Sequence, residues 1–115
     1  MQTAEERAAC AAKALEDAKG ADVKTYDVRG KSQIADFFVV ATGAAAPHLK
    51  ALAAAAQKAM RESGEAARRT SGDPESGWIA LDCIDVVIHV FSPEARAYYA
   101  LEKLWEQGGG RAGGR

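Results

Sequence analysis

The groups from which a reaction could be assembled are Asp82 and Asp85, His48 and His89, Cys10 and Cys83, and the loop at residues 42–47. Two neighbouring carboxylates suggest a shared divalent cation. Carboxylates that hold Mg²⁺ from one strand sit at i and i+2, on one face. Asp82 and Asp85 are three residues apart, which in extended chain sends them to opposite faces. Turn chemistry or contact with a partner is therefore favoured over metal binding. His89 lies inside an apolar run, and no Ser or Cys nucleophile stands at a visible spacing from a base. His48 falls near the start of a helix, and both histidines are expected to be structural, with their ring nitrogens satisfied. The loop Thr42-Gly43-Ala44-Ala45-Ala46-Pro47 joins a strand to a helix N-terminus, a geometry that can hold phosphate. It lacks GxGxxG and the Lys and Thr of a P-loop, so a plain connection is expected. Cys10 and Cys83 form neither a CxxC pair nor a metal-spaced cluster and read as small apolar residues in a reducing compartment. The residues point to no catalytic group, metal or cofactor.

What remains are groups suited to binding. Trp78 follows Gly77 at the start of a strand and shares its face with Ala80 and Asp82, so it is either a core-edge residue or an interface anchor. Tyr98 and Tyr99 are adjacent on a helix, roughly 100° apart, so full burial of both is not expected.

These residues need elements to position them. Residues 77–91, GWIALDCIDVVIHVF, hold two strands. The first alternates, with Ile79, Leu81 and Cys83 on one face and Trp78, Ala80 and Asp82 on the other. The second, residues 85–91, is a nearly continuous β-branched and aromatic run, which suggests the central strand of a sheet covered on both faces. A capping box at Thr3-Ala4-Glu5-Glu6 opens a helix striped with Ala8, Ala11, Ala12, Leu15 and Ala18 and closed by Gly20. Its small residues predict a peripheral helix. Residues 21–28 read as a strand that a short Arg29-Gly30-Lys31 turn pairs antiparallel with a strand over residues 34–42. Pro47 starts a second helix with Leu49, Leu52, Ala53, Ala56 and Met60 inward, ended by Gly64. Residues 65–70 suggest a polar edge strand blunted by Arg68 and Arg69, and residues 71–77 a loop. Ser92-Pro93-Glu94 starts a last helix with Tyr98, Leu101, Leu104 and Trp105 as candidates for burial. The sum is an α/β domain with a mixed five-stranded sheet packed by helices, over residues 1–107, with a flexible Gly/Arg tail at residues 108–115.

Composition narrows the function. At 115 residues and 48% hydrophobic content, the chain can build one core. Its net charge is −1, and with Arg111 and Arg115 of the tail set aside the remainder stands at −3. No basic field for holding a phosphate backbone is present, and a partner with a basic surface fits better than direct, sequence-specific nucleic-acid binding. No apolar run approaches the ~20 residues of a membrane span, and the N-terminus lacks a signal core, so the expected location is cytoplasmic.

Three segments taken together, ADFFVVATG (35–43), GWIALDCIDVVIHVFSPEAR (77–96) and YYALEKLW (98–105), with the DVRGKS turn at 27–32, resemble the ribosomal silencing factor, or Iojap, family. The resemblance runs from about Ala8 to Trp105. It implies a nucleotidyltransferase-like α/β domain without the catalytic residues, and no cofactor. It also implies binding to the large ribosomal subunit through a ribosomal protein, the fourteenth in the usual series. The domain bound there blocks joining of the subunits and lowers translation, and some members act in late large-subunit assembly. A homodimer is implied for the free protein. Trp78 as apolar anchor, Asp82 and Asp85 as acceptors, and Tyr98, Tyr99 and Lys103 as their neighbours are the residues expected at the ribosomal-protein contact. His48, Asp36 and His89 also match the family pattern. Two departures stand out: Ala44-Ala45-Ala46-Pro47 replaces a polar Thr-Ser-Ser-Arg before His48, and Ile84 stands where a Gly is frequent. A nucleotide-binding or nucleotidyltransferase enzyme and a ribosome assembly scaffold are the alternatives.

Overall fold

The structure, a computed structural model, describes residues 3–30 and 35–99, with side chains as far as residue 97. Among these residues, three helices and five strands follow in the order α1 (Ala4–Asp17), β1 (Ala21–Asp27), β2 (Phe37–Thr42), α2 (Ala46–Glu62), β3 (Arg69–Asp73), β4 (Trp78–Asp82), β5 (Val86–Phe91) and α3 (Pro93–Tyr99), with a 3-10 turn at Pro74–Ser76. The strands form one sheet ordered β1-β2-β5-β4-β3. Among the described residues only β2 and β5 pair in parallel; the other neighbours are antiparallel. The expected mixed α/β sheet, with β5 at its centre and buried along its whole length, is what the chain forms.

Alternation divides the sheet into two faces. Phe37, Val39 and Ala41 of β2 and Val86, Ile88 and Val90 of β5 face α1 and α2, and with Leu15, Leu49, Leu52 and Met60 they make the main core. Burying a leucine such as Leu52, which is wholly enclosed, contributes about 2–3 kcal/mol. Phe38, Val87, Val40 and Phe91 lie on the opposite face, where Ala95 of α3 packs against Val40 and Phe91.

The structure differs from the sequence-based expectation in the packing of α1 and in two element boundaries. The capping box of α1 forms as expected, with the Thr3 hydroxyl accepting from the Glu6 N–H and the Glu6 carboxylate accepting from the Thr3 N–H. The helix is not peripheral, however: Ala8, Ala11 and Leu15 are buried in the main core. A small-residue stripe brings the helix axis close to its neighbours. At its end Lys19, not Gly20, takes the left-handed conformation, with φ 72°. Gly20 answers a different need, since a Cβ there would stand 2.9 Å from the Leu15 carbonyl oxygen. Finally, the edge strand is Arg69–Asp73 rather than residues 65–70. Gly72 has φ 89° inside it, and a Cβ there would strike the Trp78 carbonyl, so strand propensity alone misplaced the element.

Candidate binding face and the turn that supports it

On the sheet face opposite α1 and α2, Trp78, Ala80 and Asp82 of β4 form a half-buried strip. Their register partners share that face: Asp73, Ser71 and Arg69 on β3, all exposed, and Phe91, His89 and Val87 on β5, all buried. The strip thus grades from core to solvent across three strands.

Trp78 is held from beneath. Its ring centroid lies 5.1 Å from that of Phe91 and 5.9 Å from that of His89. Its Nε1–H donates to Nδ1 of His89 at 3.1 Å. His89 in turn stacks on Phe91 and meets Phe38 edge-on. Of the two roles weighed for Trp78, the structure shows the core-edge one: the indole packs against the core cluster of Val40, Phe91 and Ala95, and the residue stays partly exposed. Burial pushes the His89 imidazole down from 6.5 to about 4. The folded form therefore takes up its proton later than the unfolded form as pH falls. Stability from His89 is complete above pH 6.5 and is lost toward pH 4, approaching about 1.4 kcal/mol per pH unit between those values. Urea unfolding across this window is expected to show that slope, and His89→Leu to flatten it.

Asp82 and Asp85, expected to serve a partner together, are separated by the turn between them. Asp82 Oδ1 accepts the Ile84 N–H at 3.0 Å, and Oδ2 lies 3.6 Å from an Arg68 nitrogen. Asp85 is instead paired with Arg7 of α1, on the helix-covered side. The carboxylates are held by different arginines from different elements, a geometry that serves the turn and not a shared cation. No cluster of three or more His, Cys, Asp and Glu side chains suited to a metal occurs among the described residues.

Ile84, at the tip of that turn, has φ 74° and is 43% exposed, the one large apolar side chain so exposed among the described residues. A β-branched residue in the left-handed region costs roughly 1–2 kcal/mol. The backbone thus keeps the shape that glycine would adopt without strain. Ile84→Gly is expected to raise stability by about 0.5–1 kcal/mol, the relief being partly offset by glycine's larger unfolded-state entropy. Denaturant midpoints of the two proteins check it.

Arg7 is the residue that sequence reading missed. It is 5% exposed. Its guanidinium pairs with Asp85 and donates to the carbonyls of Cys83 at 3.1 Å and Glu65 at 3.2 Å, while its Nε is buried without a partner. One side chain thereby ties α1 to the segment after α2 and to the β4–β5 turn. The signal available was positional: Arg7 adjoins the apolar stripe of Ala8 and Ala11, where a solvated charge has no place. Cys83 is enclosed beside it, and burial raises its thiol to about 11, so it is a protonated core residue at neutral pH.

His48 is structural, as expected. Its Nδ1 accepts the Ala44 N–H at 3.0 Å, which places the proton on Nε2, where it donates to the Ala18 carbonyl at 3.0 Å. This bridge ties the β2–α2 loop to the end of α1. Tyr98 and Tyr99 lie on α3, which Arg96 anchors by donating to Thr42 Oγ1 at 2.7 Å and pairing with Asp22 at 3.4 Å. The side chains of both tyrosines lie outside the described residues, as do Leu101, Lys103, Leu104, Trp105 and the Gly/Arg tail. Of the six expected contact residues, the structure brings Trp78 and Asp82 onto one face and assigns Asp85 to Arg7.

A mixed sheet with α1 and α2 on one face and an aromatic and acidic strip on the other defines a small α/β domain whose distinctive surface is a strand face. The family described as "Ribosomal silencing factor during starvation" matches residues 1–112, and the chain belongs to this ribosomal silencing factor (RsfS) family. It is 39% identical to the ribosomal silencing factor of Halalkalibacterium halodurans over 95 residues, 83% of this chain and 81% of that protein. It is 36% identical to that of Bacillus subtilis, covering 83% of this chain and 80% of that protein. The maize chloroplastic protein Iojap is 33% identical over 82% of this chain and 41% of its own length. A crystal structure of a Chromobacterium violaceum protein superposes with a TM-score of 0.85 at 35% identity, covering 99% of this chain and 89% of that one.

Proposed function

We propose that this protein silences ribosomes by occupancy. It binds the large ribosomal subunit through a ribosomal protein, the fourteenth in the usual series, and stands where the small subunit must dock. Family membership together with the half-exposed Trp78–Asp82 strip supports this reading. In it Trp78 is the apolar anchor and Asp82 accepts from a basic side chain. Tyr98, Tyr99 and Lys103 are the further residues assigned to this contact. Asp85 acts through Arg7, by holding the turn that presents Asp82.

The effect needs no bond to be made or broken. Two partners compete for one surface, so the apparent affinity of subunit joining falls by one plus the protein concentration over its dissociation constant. The mildly acidic chain, net charge −1, suits a basic ribosomal protein, with charge contributing to encounter rate and register. The protein works in the cytoplasm, is not an enzyme, and is a homodimer when free. No helix among the described residues is long and apolar enough to cross a membrane.

Sucrose gradients of purified subunits, run with and without the protein, test the proposal. Added protein is expected to leave separate subunit peaks where whole ribosomes otherwise form, and to sediment with the large subunit. An unchanged whole-ribosome peak at saturating protein overturns it.

A further inference from the structure

We infer that His89 is a positioning residue for the ribosome contact: by accepting the Trp78 indole N–H it fixes the orientation in which the anchor meets the large subunit. This rests on the proposed role of Trp78 as that anchor.

The geometry carries the inference. Trp78 packs against the core cluster of Val40, Phe91 and Ala95 and remains partly exposed, so burial does not enclose the indole completely. A tryptophan rotates about two side-chain bonds, and a partly exposed ring without a polar tether has more rotamers open to it. Here the tether exists: Nε1–H to Nδ1 of His89 at 3.1 Å. Its acceptor cannot move, because His89 is 9% exposed, stacked at 7° to the Phe91 ring and met edge-on by Phe38. His89 sits on the central strand, opposite Ala80 of the strip, so the rigid part of the sheet dictates the pose of the exposed part. An anchor already held in its bound rotamer loses less conformational entropy on docking. The position also favours a polar residue over the β-branched ones around it, which pack well but offer Trp78 no acceptor. The imidazole touches no partner itself; it acts through the indole.

The pair His89→Asn and His89→Leu separates this from a packing role, because the two side chains are close in size and only Asn keeps an acceptor near the position of Nδ1. Binding to purified large subunits is measured alongside unfolding. His89→Leu is expected to bind about 3- to 10-fold more weakly than wild type, the range that one net hydrogen bond supplies, and His89→Asn to recover most of that. Stability is expected to rank the other way, since a buried amide costs more than a buried alkyl group. In ¹⁵N-labelled protein the Trp78 indole N–H, identified by its loss in Trp78→Phe, is expected to exchange faster with solvent in His89→Leu than in wild type or His89→Asn. A folded His89→Leu protein that binds as tightly as wild type, or binding that simply follows stability, overturns the inference while leaving the role of Trp78 standing. Unweakened binding by a folded Trp78→Ala protein overturns both. Should His89→Leu fail to fold, His89→Phe, which keeps a ring without an acceptor, takes its place with the same outcomes.

Discussion

Arg7→Met is expected to destabilise the protein by about 3 kcal/mol, a shift in melting temperature on the order of 10 °C for a domain of this size. Removing one partner of a buried ion pair leaves the other charged and unpaired, and such changes cost roughly 3–5 kcal/mol where both groups are enclosed. The Asp85 side chain is 35% exposed against 6% for Arg7, so water recovers part of its solvation and the low end applies. The Glu65 carbonyl also loses its donor. Replacing both partners tells attraction from packing. Arg7→Met with Asp85→Asn removes both charges, and is expected to be markedly more stable than Arg7→Met alone, since an apolar or neutral substitute for a whole buried pair is often tolerated. Chemical denaturation of the four proteins in this cycle gives the coupling directly. A loss below about 1 kcal/mol for Arg7→Met would mean that α1 is held by its apolar stripe alone.

The second large effect concerns Trp78. Trp78→Ala is expected to weaken binding to the large subunit by at least about 2 kcal/mol, near 30-fold, as central aromatic anchors do. The packing against Phe91 and His89 adds a consequence that the strand pattern alone did not predict. Truncation opens a gap on the sheet and removes the donor to His89, so it is expected to lower fold stability as well, by about 2 kcal/mol. That is less than the roughly 3–5 kcal/mol typical of a wholly enclosed tryptophan, because this one is partly exposed. Binding must therefore be read at a temperature where circular dichroism shows the variant folded. Under that condition, cosedimentation equal to wild type would remove Trp78 from the contact.

The elements were largely legible in the sequence because each follows from a local rule. Val86 to Phe91 is β-branched and aromatic almost without interruption, and it forms the buried central strand. Thr3 and Glu6 sit at capping-box spacing, and the reciprocal bonds form. Trp78, Ala80 and Asp82 alternate with Ile79, Leu81 and Cys83, and the two sets face opposite sides. Where the local rule was weak, the reading slipped. Arg69–Asp73 is a fully exposed edge strand with a glycine in it, so neither burial nor propensity marked its bounds.

What the sequence determined by itself, then, is the set of elements, the face each residue of β4 takes, and the family. Periodicity and capping depend only on neighbours a few positions away. Tertiary structure alone decided which charged groups are partners. Arg7 and Asp85 are 78 positions apart and meet because α1 packs over the β4–β5 turn. Trp78 and His89 are 11 apart and meet because the antiparallel register sets β4 beside β5. A contact between distant residues is fixed by how elements stack, and no local pattern in either segment records its partner. The pairing of Asp85 with Arg7 is a contact of this kind.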